Sequence, residues 1–482
     1  MEEKDKKVYL KELAFISTVF NESGALIPFL ASLIQQTAMP SEIILVDGGS
    51  TDDTLKIITD FFKGLKNTPG FEVATVFEEV SGNSLKPGHK AGNGSAGLPG
   101  YKAANDKIAA LSGYKAVNDS EKKSGNINYP RERLVFESTI NCVTTVKIYD
   151  APGANISSGR NIAIKNADSE FICVSDAGCR LSRDWIEEIS KYFIGKPANI
   201  VSGDGTAGVN SEHSADSISA DNSTVGATSE HSADRISAKA AENKSGADNS
   251  VKADIATEAA SGSAADIIAG GYNFPYIENF LQACLAVCVL PVKSEISVSK
   301  YMPSSRNISF AKTAWERAGG YPQNMDFGED MRFNFNLKAL GYRIKFNPDA
   351  LVYWNLRNSP AAIFRQFFRY AKGDAVGRMY SYRHLIRFAS VFLFAAFILS
   401  GVLISPWFLL AILLLFSVFI YRPYFRIKYF LNDKNCCVFA ENKKNLLFIK
   451  FKTILCIPLM LPCIETAKLA GYIYGLFIRK NY

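Results

Sequence analysis

The stretch FASVFLFAAFILSGVLISPWFLLAILLLFSVFIY, residues 388–421, contains no charged side chain. About 20 apolar residues cross a bilayer's hydrocarbon core. A buried helical hairpin in a soluble core would have to bury this run with no charge anywhere along it, so its length and composition favour the membrane. Pro406 lies near the middle of the run, and Arg387 and Arg422 bound it. A break at Ser405–Pro406 gives two helices, about 388–405 and 406–421, that leave and return on one side. Both flanks, 365–387 and 422–452, are rich in Lys and Arg. Basic flanks mark the cytoplasmic side. A third apolar segment, 454–478, carries Glu465 and Lys468 and is interrupted by Pro458 and Pro462. It is expected either to cross the membrane or to lie along the interface. The chain is thus expected to be a multi-pass membrane protein, with a membrane domain at 386–478 and a cytoplasmic domain at 1–380.

The rest of the composition narrows the partners. The net charge of +7 is modest and concentrates beside the apolar run, which suits an anionic lipid surface. No basic and aromatic array points to nucleic acid. The start, MEEKDKKVYLKEL, has no apolar signal core. The nine cysteines show no metal-ligand spacing and read as free thiols of a reducing compartment. Residues 81–130 and 203–266 are rich in Gly, Ser, Ala, Asn, Asp and Lys, too polar to offset the entropy of ordering. Both contain repeats: GYKAAND returns as GYKAVND, and SEHSADSISA as SEHSADRISA. They are expected to be expanded, disordered surface loops. His89, His213 and His231 fall inside them, leaving only His384 elsewhere and removing histidine-based metal or nucleophile chemistry. ANIVSG at 198–203 is echoed by ADIIAG at 265–270 across the second tract, and one copy is expected to fill a core strand.

Between the tracts, strand and helix patterns alternate. LAFISTVF (13–20), EIILVDGGS (42–50), VTTVKIYD (143–150) and FICVSD (171–176) read as buried strands. Residues 22–37, 52–65, 157–167 and 182–194 have helical spacing. This alternation predicts an α/β fold with a mostly parallel sheet. Asn21, Asp47 and Asp176 each follow a strand. Parallel strands bring such residues to one crevice at their C-terminal ends, where a nucleotide fits. Asp47 would accept hydrogen bonds from base or ribose, and Asp176 would face a metal-bound diphosphate.

STVFNE (17–22), ILVDGGSTDDT (44–54), SSGRN (157–161), SDAGC (175–179), SSRNISF (304–310), GED (328–330) and QFFRY (366–370) occur in this order. The set resembles the family 2 glycosyltransferases of GT-A fold. The resemblance covers about 13–80, 131–202 and 265–380. It implies a GT-A type, Rossmann-like, mostly parallel sheet flanked by helices, followed by C-terminal transmembrane helices. It also implies transfer of a sugar from a nucleotide-sugar donor, with a divalent metal (Mg2+ or Mn2+) and inversion at the anomeric centre. On that resemblance Asn21, Glu22, Asp47, Arg160 and Asp176 bind the nucleotide-sugar. Asp176 matches the first acid of the family's D-x-D metal motif, while Gly178 stands where the second would be.

Displacing a nucleoside diphosphate needs a base for the acceptor hydroxyl and neutralisation of the leaving group. The resemblance makes Asp330 the general base, with Glu329 orienting it or touching the acceptor. Alone, the pair would also suit a helix N-terminus. QFFRY is similar to the family's Q-x-x-R-W pattern, with Tyr370 in place of Trp. Gln366, Arg369 and Tyr370, with Arg306 and Asn307, are expected at the acceptor and diphosphate. The same helix, with Arg365, Lys372, Arg378 and Arg383 nearby, also suits a membrane surface. That would favour a lipid-linked acceptor, a glycan acceptor being the other choice. A processive polysaccharide synthase, a nucleotidyltransferase and a non-catalytic sugar-nucleotide-binding membrane protein are the alternatives. Two or three membrane helices are few for a synthase channel. A nucleotidyltransferase would need a basic phosphate loop, and STVFNESG has no Lys or Arg.

Overall fold

The computed structural model describes residues 8–67, 131–141, 143–193, 266–431 and 443–479. The tracts 81–130 and 203–266 lie outside the described residues apart from Asp266, as do His89, His213, His231, Cys436 and Cys437.

Nine strands form one sheet among the described residues: β1 (Val8–Val19), β2 (Ala38–Asp47), β3 (Arg133–Ile140), β4 (Thr144–Asp150), β5 (Phe171–Val174), β6 (Cys179–Leu181), β7 (Ile267–Tyr276), β8 (Ile308–Ala311) and β9 (Arg343–Asn355). Their order is β3-β4-β2-β1-β5-β8-β7-β9-β6. The block β4-β2-β1-β5 is parallel throughout, as the alternation of strand and helix predicts. β7 and β9 are also parallel, but β3, β6 and β8 pair antiparallel with their neighbours, so the sheet is mixed rather than mostly parallel. The parallel block is covered on both faces, which is why its strands read as unbroken apolar runs. Leu13 and Phe15 face one core with Phe29, Leu30 and Trp185, while Ala14 and Ile16 face another with Ile162, Phe310 and Phe333. Of the two echoed segments, the one at 265–270 supplies β7, where Ile268 and Ala269 are fully buried.

The flanking helices are α1 (Leu26–Ile34), α2 (Thr54–Asn67), α3 (Ile156–Lys165), α4 (Trp185–Ser190), α5 (Phe280–Val289), α6 (Lys312–Arg317), α7 (Glu329–Ala339) and α8 (Pro360–Val376). Three further helices, α9 (Ser381–Leu403), α10 (Trp407–Phe430) and α11 (Lys443–Ile478), contain spans long and apolar enough to cross a membrane. The break between α9 and α10 falls at Ile404–Pro406, where Pro406 caps α10. α11 runs through Pro458 and Pro462 without ending. Its charges are paired: Glu465 accepts from Lys468 at 2.7 Å and from Arg387 of α9 at 2.9 Å. α11 packs on α8 at two glycines. A Cβ at Gly471 would lie 2.1 Å from the Phe368 carbonyl oxygen, and one at Gly475 2.7 Å from that of Lys372.

Candidate active site

The parallel register sets the site. Val19, Asp47 and Asp150 lie in one row, so β1, β2 and β4 end together. Beyond these ends opens a cavity of about 410 Å³, within the range of small-molecule sites. Its walls come from distant parts of the chain: Phe20 and Glu22 after β1, Gly48 after β2, Asn155 and Gly159 at the start of α3, Asp176 to Cys179 after β5, Arg306 before β8, Trp354 to Asn358 at the end of β9, and Gln366 and Tyr370 of α8.

Asp176 sits in a network of ions. Its Oδ1 accepts from Arg160 Nη2 at 2.8 Å, and its Oδ2 lies 3.6 Å from Arg306 Nε. Arg160, 2% exposed, donates through Nη1 to Glu329 Oε1 at 2.8 Å. One buried guanidinium therefore joins the acid after β5 to the acid that opens α7. Burial, and then the adjacent Asp330, push the Glu329 carboxyl up to about 7 despite Arg160. Arg306 stacks on Trp354, its Cζ 3.9 Å from the ring centre. Glu22 is raised, first by burial and then by Asp176 and Asp52, with Arg357 acting the other way.

The turn before α7 is shaped by packing. Gly328 has φ of 77°, a left-handed conformation that costs a glycine little. α8 crosses this turn at Gly373, where a Cβ would lie 2.2 Å from the Phe327 carbonyl oxygen. Glu329 is buried and Asp330 half-buried; neither lines the cavity, and Asp330 Oδ1 accepts from Met331 N at 2.8 Å.

The expected site residues divide into groups. Glu22, Asp176, Arg306, Gln366 and Tyr370 line the cavity. Arg160 and Glu329 belong to the ion network behind it, and Asp330 follows Glu329 at the start of α7. Gln366 donates to the Tyr370 hydroxyl at 2.9 Å, and its own carbonyl oxygen is buried with no hydrogen-bond partner among the described residues. Asp47, expected at the nucleotide, is 1% exposed and turns back on its own loop: it accepts from Gly49 N at 3.1 Å, Ser50 N at 2.8 Å and the Ser50 hydroxyl. Asn21 is exposed and clamps the loop after β2, accepting from Thr51 N at 2.8 Å while its own N–H donates to Ser50 Oγ. Asn307, expected at the diphosphate, is fully buried; it accepts from Trp185 Nε1 and donates to the carbonyls of Tyr272 and Ala350. Arg369 is exposed beside Phe327, 5.2 Å from its ring centre. The β9 end, Trp354 to Asn358, joins the cavity without a sequence signal beyond the polar run N-L-R-N after an apolar strand.

The donor set suits a hard divalent cation through carboxylate oxygens. Among the described residues no group of three His, Cys, Asp or Glu side chains gathers closely enough to hold one by itself. A cation here would share its coordination with phosphate oxygens and water. Asp176 faces the cavity, and the space above Gly178 is open, so the residues fit that arrangement.

A family model described as glycosyl transferase family 2 matches residues 14–76, and one described as glycosyl transferase family group 2 matches residues 264–421. The first match holds Asn21, Glu22 and Asp47; the second holds Arg306, Glu329, Asp330, Gln366, Tyr370 and the α9 helix. Arg160 and Asp176 lie between the two. Among solved structures, S. aureus TarS is 12% identical with a TM-score of 0.30, covering 75% of this chain and 39% of its own. This chain thus spans about two fifths of TarS. The mannosyltransferase PcManGT from Pyrobaculum calidifontis, solved with GDP-Man and Mn2+, is 11% identical with a TM-score of 0.37, covering 98% of this chain and 87% of its own. No curated protein sequence matches.

Proposed function

We propose that this chain, which matches glycosyl transferase family 2 models over residues 14–76 and 264–421 and carries three helices long and apolar enough to cross a membrane, is a membrane-attached glycosyltransferase that moves a sugar from a nucleoside-diphosphate donor to a lipid-linked or glycan acceptor at the cytoplasmic face of a membrane. The observation that carries this reading is the cavity at the ends of the parallel strands, with Asp176 and Arg306 on its wall and Arg160 tying Asp176 to Glu329, the neighbour of Asp330. The donor diphosphate lies in the cavity against the wall that Asp176 and Arg306 form together. Asp176 would hold a divalent cation, Mg2+ or Mn2+, which when bound would supply charge neutralisation to the leaving diphosphate. Arg306 adds a fixed positive charge at the same place.

Asp330 takes the proton of the acceptor hydroxyl as it attacks the anomeric carbon, with inversion. Glu329, fixed by Arg160, orients the turn that carries Asp330. Gln366 and Tyr370 form the acceptor side, and α8 ties that side to α11. This continuity from cavity wall to apolar helix favours a lipid-linked acceptor, presented at the bilayer surface with the basic flanks toward the cytoplasm.

The test is a panel of nucleotide-sugars incubated with detergent-solubilised protein and Mg2+ or Mn2+, with nucleotide release and acceptor glycosylation measured. Release from one donor is expected, falling about 100-fold or more in Asp330→Asn and Asp176→Ala. Release from no donor, or equal release by both variants, overturns the assignment.

A further inference from the structure

The D-x-D pattern of this chain is missing its second acid, and the structure has a carboxylate in the space that acid would enter. Gly178 lines the cavity two residues after Asp176. A Cβ built on Gly178 meets a single atom within 4 Å, Glu22 Oε2 at 4.0 Å. A side chain at 178 would therefore grow toward the volume that the Glu22 carboxylate occupies. Glu22 arrives from a different strand, on the loop after β1, and shares the cavity wall with Asp176.

That loop is held rigidly. Asn21 adopts a left-handed φ of 53°, a conformation Asn tolerates better than most residues. Glu22 N donates to Thr54 Oγ1 at 2.8 Å, and Ser23 N to Asp52 Oδ2 at 3.2 Å. Three consecutive residues, Asn21 to Ser23, are thus tied by their backbone N–H groups to the loop after β2. The Glu22 side chain is left to project from a fixed base to the cavity wall beside Gly178. Nothing in the turn's own hydrogen bonding requires an acid there, since all three ties use backbone N–H groups of the turn.

We propose that Glu22 supplies the second protein carboxylate to the divalent cation, in the space that glycine at 178 leaves open. The proposal rests on the reading above that the site takes a nucleoside diphosphate with Mg2+ or Mn2+. It gives Glu22 a metal-binding role in place of a contact to the nucleotide itself. The competing role is purely electrostatic: Arg357, exposed on the cavity rim, is the cation whose charge reaches Glu22.

The test is Mn2+ binding by the full chain in detergent, followed by the electron paramagnetic resonance signal of free Mn2+, with UDP or GDP present. Glu22→Gln is expected to weaken Mn2+ binding about tenfold or more, with an unchanged melting temperature. Combining Gly178→Asp with Glu22→Ala, which empties that volume, is expected to restore most of the loss, because the new carboxylate enters the same space. Should Glu22→Gln lower the melting temperature, Glu22→Asp, which draws the charge back by one methylene, carries the same expectation. Binding as tight as in the unaltered protein overturns the proposal and leaves Glu22 with Arg357. A loss that Gly178→Asp does not relieve overturns it as well. If the unaltered protein retains no Mn2+ with either nucleotide, the functional reading itself fails and the role of Glu22 falls with it; the unaltered arm tells these cases apart.

Discussion

Replacing Gly373 with alanine should disable the site from outside it. Gly373 lies on α8, where the helix crosses the turn that carries Glu329 and Asp330. The new Cβ would stand 2.2 Å from the Phe327 carbonyl oxygen, 2.7 Å from its carbon and 3.3 Å from Gly328 N. Carbon and oxygen need roughly 3.2 Å or more, so helix and turn must separate by about 1 Å. The obstructing atoms are backbone, so no side-chain rotation relieves the clash. Overpacking of this kind costs about 1–3 kcal/mol of stability. A 1 Å displacement of a catalytic group costs about 100-fold in rate. Nucleotide release and a thermal melt of the same detergent-solubilised preparation measure both. The neighbouring Gly377→Ala is the comparison: its Cβ would meet the flexible ends of Met325 and Met379 at 2.8 and 2.9 Å, and its effect should be smaller. Gly373→Ala with undiminished rate and melting temperature would refute the claim that α8 positions the acid turn.

Three other outcomes follow from the geometry. Glu42, 6% exposed, accepts from Asp168 N, Ser169 N, Ser169 Oγ and Lys147, so Glu42→Ala should cost about 3–5 kcal/mol by thermal or denaturant unfolding. Because the Glu329 pKa is raised from 4.5 to about 7, its contribution to stability is complete below about 4.5 and is lost as pH rises through about 7. The melting temperature should therefore fall across that window in the unaltered protein and less steeply in Glu329→Gln. Gly64 lies inside α2, and among the described residues no atom comes within 4 Å of its Cβ position, so on helix propensity Gly64→Ala should stabilise by about 0.5–1 kcal/mol and leave activity unchanged.

The parallel half of the sheet was legible because buried parallel strands must be apolar on both faces, and β1, β2, β4 and β5 are. The antiparallel half was less so. β6 and β8 are three and four residues long, too short for a periodic signal, and β9 opens with exposed Arg343 beside half-buried Ile344, which dilutes its pattern. Asp176 was legible because a lone acid ends an apolar strand and the next residues are small. The bond from Arg160 to both Asp176 and Glu329 was not, since it joins positions 16 and 169 residues apart. Asp47 sits at the expected strand end, yet its oxygens turn to the backbone of Gly49 and Ser50. Asn307 lies in a motif that reads as a ligand site, yet its amide joins Trp185 to the carbonyls of two strands. Type and spacing place a polar residue at a sheet edge; its orientation depends on neighbours that only the fold assembles.

The most direct test of a single pocket built at the ends of β1 and β5 and walled by α8 is a cryo-electron microscopy or crystal structure of the detergent-solubilised chain with Mn2+ and a nucleoside diphosphate. The account predicts diphosphate density in the cavity against the wall formed by Asp176 and Arg306. Nucleotide bound elsewhere, or Asp176 facing away from the phosphates, would contradict it.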